Sequence, residues 1–234
     1  MALACGSDGR SSHGGARRVS CAVIFDLDGL LADTEPVWRA SAIELLGRRG
    51  HQVDESLRPR VMGRHPIAVA QIYIEHFGLD DSAEALAAER LEIVRSLYAR
   101  GRVDPKPGAH ALCADVARAG APMIVASGSP TSLVGEVLGA LSLAIAQYVG
   151  SDLVERGKPA PDIFFLAARR LDVPIERCVV LEDSALGVEA ALASGARCVA
   201  VPGPETPRDR VQGADLIVDS LEQLDFARLA SIVR

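Results

Sequence analysis

The sequence predicts an α/β fold: a doubly wound, Rossmann-like parallel sheet with an inserted helical cap. Two observations carry this expectation. Short apolar runs alternate with helical patterns along most of the chain, as they do where helices connect parallel strands. Between residues 36 and 101 the alternation stops and only helical periodicity remains.

The expected strands are 21–26 (CAVIFD), 122–126 (PMIVA), 177–181 (RCVVL) and 197–201 (RCVAV), with weaker candidates at 145–149 and 215–218. Helices are expected at 109–119, 131–139, 160–171, 184–194 and 221–230. Pro159 and Pro161 open the third of these, where a missing N–H costs little. Ser184 is placed to cap the fourth, and Gly195 to close it in a left-handed conformation. In the insertion, Trp38, Ala42, Leu45 and Leu46 form one apolar stripe at helical spacing. Val69, Ile72, Tyr73 and Phe77 form a second, and Leu91, Val94 and Tyr98 a third. The prolines and glycine of "VDPKPG" mark the return to the sheet. The expected division is a disordered tail at 1–20, a catalytic core at 21–34 and 105–234, and a cap at 35–104. The tail is rich in Gly, Ser and Arg and has no apolar stretch of the kind a signal peptide needs. Asp8 and the glycines speak against an organelle-targeting role, so a cytoplasmic location is expected.

Composition narrows the function classes. The 234-residue chain is 49% hydrophobic and 24% charged, ordinary for a soluble globular protein. With a formal net charge of −6 and no dense basic stretch, it offers no nucleic-acid surface. No apolar run approaches the roughly 20 residues that span a bilayer, so no membrane partner is expected. The five cysteines are odd in number and contain no CxxC pair, so neither a disulfide framework nor a zinc site is expected. A small molecule is the expected partner, and nothing demands more than a monomer.

The chemistry lies in the residues immediately after each strand. "VIFDLDG" ends an apolar run with Asp26 and Asp28, which point to one face of an extended chain and repel unless a cation or shared proton intervenes. "MIVA" is followed by Ser127, Gly128 and Ser129, and "CVVL" by Glu182 and Asp183, each just before a helix. Lys158 stands at the start of the helix between them. In parallel sheets such groups gather at one rim, where ligands bind. Four carboxylates against one lysine leave a formal charge of −3, costly if dry and unpaired. A hard divalent cation relieves it, and Mg²⁺ characteristically leaves room for water and substrate phosphate. Ser127 and the Gly128 N–H at a helix start form an anion cradle, with Lys158 as a point charge. Together they supply what metal-assisted phosphoryl transfer through an aspartyl-phosphate requires. Each piece taken singly has a plainer explanation as a strand end, a capped turn, a surface lysine or a favourable helix start. An EF-hand fails because Leu31 and Val37 occupy its required Gly and Glu positions, and a P-loop fails at Pro159. His13, His51, His65, His76 and His110 show no HExxH spacing.

"DLDGLLADTEP", "VASGSP", "KPAPDIF" and "LEDSALGVEAALASGA" resemble, in order, the four motifs of the haloacid dehalogenase-like hydrolases. The likeness covers about residues 21–220 and is greatest to sugar-phosphate phosphatases and β-phosphoglucomutases. It implies Asp26 as nucleophile and Asp28 as general acid/base. It implies Mg²⁺ held by Asp26, the Asp28 carbonyl and Asp183, with Glu182 a direct or outer ligand. Ser127, Gly128 and Lys158 would hold the phosphoryl oxygens, and Gly29 would let the chain turn into the cap hinge. The implied reaction is hydrolysis of a small phosphorylated metabolite, a sugar or polyol phosphate, by a phosphoric monoester hydrolase.

Two alternatives stay open: a β-phosphoglucomutase-type isomerase and a phosphometabolite-binding protein that does not turn over. The mutases resembling this chain carry His four residues after the Thr of "DT", where this sequence has Trp38. "DTEPxW" resembles the start seen in sugar- and polyol-phosphate phosphatases, which favours hydrolysis. Glu35, Trp38 and Arg64 are the candidates for substrate contact from the cap.

Overall fold

The computed structural model describes residues 21–101, 103–143, 145–204 and 206–233. The expected tail at 1–20, with Cys5, lies outside them. Six parallel strands form one sheet: β1 (Ala22–Phe25), β2 (Met123–Ala126), β3 (Tyr148–Val149), β4 (Cys178–Glu182), β5 (Arg197–Ala200) and β6 (Leu216–Ile217). Their order is β3-β2-β1-β4-β5-β6. The chain thus builds outward from β1 on one side, then returns to lay β4 against its other edge. Phe25 is in register with Val125 of β2 and Leu181 of β4, so the three strands end together. The residues just beyond these three ends meet at the switch point, where ligands bind in such sheets.

Both faces of the sheet are covered, which explains why its strands read as continuous apolar runs. Val23 and Phe25 face a cluster with Leu112, Val116, Val134 and Leu229. These come from α5 (Ala109–Arg118), α6 (Thr131–Leu141) and α9 (Phe226–Ile232). Ala22 and Ile24 face the opposite cluster, with Ile163, Phe164, Val188 and Ala191 from α7 (Asp162–Leu171) and α8 (Ala185–Ser194). Each fully buried Phe, Ile or Leu here contributes about 1.5–3 kcal/mol. Cys21, Cys113, Cys178 and Cys198 are all buried and form no disulfide with one another.

Between β1 and α5 come α1 (Glu35–Gly47), a single-turn α2 (Arg58–Val61), α3 (Pro66–Phe77) and α4 (Ala83–Arg100). They share an apolar cluster of their own that includes Ala42, Leu45, Leu46, Val69, Tyr73, Leu86 and Ile93. Where this insertion leaves and rejoins the sheet, the Asp33 N–H donates to the Asp104 carbonyl at 2.9 Å and the Lys106 N–H to the Leu31 carbonyl at 2.9 Å. On this packing we propose the core and cap boundaries at residues 34/35 and 104/105.

Three expectations need correction. The single helix at 221–230 is two pieces: a 3-10 turn at Leu221–Gln223, then α9. Ser220 accepts from the Glu222 N–H and Asp225 from the Arg228 N–H at 2.7 Å, so each piece has its own cap and the chain is extended between them. Trp38 and Tyr98 do not join the cap's apolar cluster as their helical stripes imply: Tyr98 packs against the sheet-side cluster, and Trp38 faces the rim of the sheet. Among the described residues no helix is long and apolar enough to cross a membrane.

Candidate active site

β1 delivers Asp26 and Asp28 to the rim. Gly29 follows at φ +88°, a left-handed conformation that suits glycine, and its N–H donates to the Ala32 carbonyl at 2.9 Å. The turn is closed on a second side as well: a Cβ at Gly29 would come 2.1 Å from Asp183 Oδ2. Asp183 follows β4, and α8 begins behind it, with Ser184 accepting from the Gly187 N–H at 3.0 Å as expected of its cap.

Asp26, Lys158 and Glu182 are all buried. Lys158 Nζ donates to Asp26 Oδ1 at 2.5 Å, to Glu182 Oε1 at 2.5 Å and to the Ala126 carbonyl at 3.3 Å. Burial works against its charge, but the two carboxylates outweigh burial and raise the ammonium above its ordinary range. Glu182 Oε2 accepts from the N–H groups of Asp183 and Ser184 and from the Ser184 hydroxyl. Both Glu182 oxygens are thus engaged, and it orders the loop that carries Asp183.

The charge balance leaves a deficit. One carboxylate oxygen from each of Asp26, Glu182 and Asp183 falls within a mutual distance of 4.8 Å. Burial, only partly offset by Lys158, pushes the Asp26 carboxyl well above its ordinary value, and burial does the same to Asp183. Their oxygen-only donor set, with Asp183 able to approach because Gly29 has no Cβ, fits a hard divalent cation.

Asp28 stands apart from this cluster. Its Oδ1 accepts from the Thr34 hydroxyl at 2.8 Å and from Trp38 Nε1 at 3.1 Å. Its Oδ2 accepts from the hydroxyls of Ser127 and Ser129, each at 2.8 Å. Thr34 begins α1 but makes no cap hydrogen bond with its side chain, because its hydroxyl is turned to Asp28. Ser127 is fully buried, and its Oγ also accepts from the Ser129 N–H.

These residues open onto a cavity of about 400 Å³ walled by sheet rim and cap. Gly128, Ser129 and Lys158 line its floor; Trp38, Arg58, Arg64, Tyr73 and Arg90 line its cap side. Of the cap candidates, Glu35 accepts from Arg58 at 2.7 Å, Trp38 reaches Asp28, and Arg64 is exposed at the rim. Every expected site residue therefore lies at one locus. Three residues to which sequence reasoning gave no role join them: Thr34, Ser129 and Arg90. Ser129 stands two residues after Ser127, a spacing that could have drawn attention. Thr34 and Arg90 carry no such signal.

Residues 22–195 match the haloacid dehalogenase-like hydrolase family. The chain belongs to that family. It is an enzyme of the hydrolase type, and named phosphatases are among its relatives. It is 37% identical over 184 residues to the fructose-1-phosphate phosphatase YqaB of Escherichia coli, covering 76% of this chain and 95% of that one. To the (DL)-glycerol-3-phosphatase 2 of Arabidopsis thaliana it is 36% identical, covering 87% and 88%. Among solved structures, a mutant CbbY of Rhodobacter sphaeroides in complex with xylulose-(1,5)bisphosphate superposes with a TM-score of 0.82 at 30% identity, covering 89% of this chain and 98% of that one.

Proposed function

We propose that this hydrolase is a Mg²⁺-dependent phosphatase of a small phosphorylated metabolite, a sugar or polyol phosphate, acting through an aspartyl-phosphate on Asp26. The observation that carries the proposal is the pairing of two unlike carboxylates at one cavity floor. Asp26 is clamped by Lys158 at 2.5 Å, and Asp28 is suspended among four donors. Named relatives that act on fructose 1-phosphate and glycerol 3-phosphate support it.

In this mechanism an Asp26 oxygen attacks phosphorus while the bond from phosphorus to the substrate oxygen breaks. Asp28 gives its proton to that leaving oxygen. Water then attacks the phospho-aspartate, Asp28 takes a proton from it, and the bond to Asp26 breaks to release phosphate. An indole N–H only donates, so the proton that Asp28 transfers would be carried on Oδ2, where the Ser127 and Ser129 hydroxyls can rotate from donating to accepting. Lys158 and the Gly128 N–H offset charge on the phosphoryl oxygens, and the buried Ser127 shapes the same loop. Asp26, Asp183 and the Asp28 carbonyl would hold Mg²⁺, with Glu182 orienting them from behind. The ion would supply charge neutralisation for the approaching phosphate.

The test is free-phosphate release from a panel of sugar and polyol phosphates, with Mg²⁺ and with chelator. Mg²⁺-dependent release from a few related compounds supports the proposal. Conversion of glucose 1-phosphate to glucose 6-phosphate without release would establish a mutase instead. Binding without turnover would establish a phosphometabolite-binding protein. We infer a monomer, which sedimentation of the full chain tests. We also propose a cytoplasmic location; one relative is named mitochondrial, and fractionation of the tagged full chain decides between the two.

A further inference from the structure

We propose that the substrate carries a second anionic group, a carboxylate or a phosphate, at the end remote from the scissile ester, and that Arg90 receives it. The proposal rests on the phosphatase reading above and names the class of substrate.

Arg90 projects from α4 into the cavity that Asp26 and Lys158 floor. Its guanidinium lies 5.0 Å from the Trp38 ring centroid and 5.6 Å from that of Tyr73. Nε donates to Ser41 Oγ and Nη2 to the Trp38 carbonyl, both at 3.1 Å. Both acceptors are neutral, and a guanidinium has five N–H donors, so most remain uncommitted. Among the described residues no carboxylate forms an ion pair with Arg90. Its cavity neighbours differ: Arg39 pairs with Glu55, and Arg58 with Glu35 at 2.7 Å. Glu35 is the carboxylate whose field reaches Arg90, and Arg58 already holds it. Withdrawal from water accordingly pulls the guanidinium below its ordinary range.

A half-buried arginine that served packing alone would be expected to meet a carboxylate or open solvent. This one is held instead between two aromatic rings and two neutral oxygens, with its charge turned to the cavity. At the floor the balance is reversed. Lys158 already pairs with Asp26 and Glu182, and among the described residues no cation forms an ion pair with Asp28 or Asp183, which also line the cavity. The cavity is therefore acidic where a metal and a phosphoryl group belong and cationic at the cap. A hydroxymethyl group against Arg90 would leave its donors desolvated and its charge unmet. A carboxylate or phosphate would complete a charge-assisted, two-pronged contact. The exposed Arg64 at the rim adds to the same field.

The experiment is titration calorimetry with Mg²⁺ on the Asp26→Asn protein, which cannot form the phospho-aspartate. Two ligand pairs differ in the remote group: sorbitol 6-phosphate against 6-phosphogluconate, and fructose 6-phosphate against fructose 1,6-bisphosphate. The anionic member of at least one pair should bind about 10-fold tighter or more, the size of one charge-assisted contact. The responding pair tells carboxylate from phosphate. Adding Arg90→Gln, which keeps donors for Ser41 and Trp38, should abolish the preference, and Arg90→Lys, which keeps the charge but not the planar fork, should restore only part of it. Equal binding within both pairs, no binding by any of the four, or a preference that survives Arg90→Gln would overturn the proposal. Phosphate release by the unmodified enzyme is scored separately. Its absence alongside an intact preference would overturn the phosphatase reading and leave the Arg90 assignment standing.

Discussion

Trp38 Nε1 donates to Asp28 Oδ1 at 3.1 Å, so a residue of the inserted helices holds a carboxylate of the sheet. The same indole is fastened from behind by Arg90, which stacks on the ring and bonds to its carbonyl. Trp38→Phe removes the N–H while keeping an aromatic surface for Arg90. A hydrogen bond to a charged group contributes about 1.5–3 kcal/mol, so kcat should fall about 10- to 100-fold. KM should change little, because the contact is to Asp28 and not to substrate. Steady-state kinetics check this, and an unchanged kcat would remove Trp38 from the positioning of Asp28. Trp38→His should not by itself confer mutase activity, since it supplies nothing that keeps water from the phospho-aspartate.

The two aspartates should respond differently to amidation. Asp26→Asn removes the attacking oxygen and should abolish phosphate release. Because burial disfavours the Asp26 charge, losing that charge should not lower the melting temperature. Asp28→Asn leaves the attack possible but supplies no proton, a loss of about 10²–10⁴ in rate. Leaving groups that need no proton should recover part of it. Full activity in Asp26→Asn would exclude the covalent route.

The acidic cluster links stability to pH and to metal. The Asp26 and Asp183 carboxyls are raised above an ordinary value of 3.8, so the folded chain binds these protons more tightly than the unfolded chain. Their contribution is fully present below 3.8 and is lost as pH rises through the raised values. Chelated protein should therefore lose stability from this cluster between mildly acidic and alkaline pH. Mg²⁺ competes with the same protons and should stabilise more at pH 8 than at pH 5. At about a hundredfold excess over its dissociation constant, the gain at pH 8 should be roughly 5–10 °C in melting temperature. Equal shifts at both pH values would place the ion elsewhere.

Asp26, Asp28, Lys158, Glu182 and Asp183 were legible because strand ends in a parallel sheet converge wherever the strands are correctly placed. The apolar runs placed them, each strand carrying buried residues on both faces. Contacts that depend on how the cap docks were not legible. Trp38 has the spacing of a core residue in α1, and only the packed cap turns its indole toward Asp28. Arg90 follows Glu89 in a helix full of charges, and nothing local separates the arginine that lines a cavity from the one that meets solvent. Thr34 reads as a helix cap, yet its hydroxyl serves a carboxylate six residues earlier. The split at 221–232 turned on Asp225, a cap residue that periodicity alone passes over.

Gly29 ties the turn of the chain to the proposed metal site, and a single methyl group tests the link. At φ +88° an alanine is strained, and its Cβ would fall 2.1 Å from Asp183 Oδ2. The strain alone costs about 1–3 kcal/mol, measurable by denaturant titration. Relief requires Asp183 to swing away, and Asp183 leads directly into the Ser184 cap of α8, which resists movement. Gly29→Ala should therefore lose stability and, separately, weaken Mg²⁺ binding by about 10-fold or more, as displaced ligands do. Gly195→Ala provides the control: its φ is +81° but nothing lies within 4 Å of the added Cβ. It should show the strain without the loss of metal affinity. If both variants bind Mg²⁺ as the unmodified protein does, Asp183 is not a ligand.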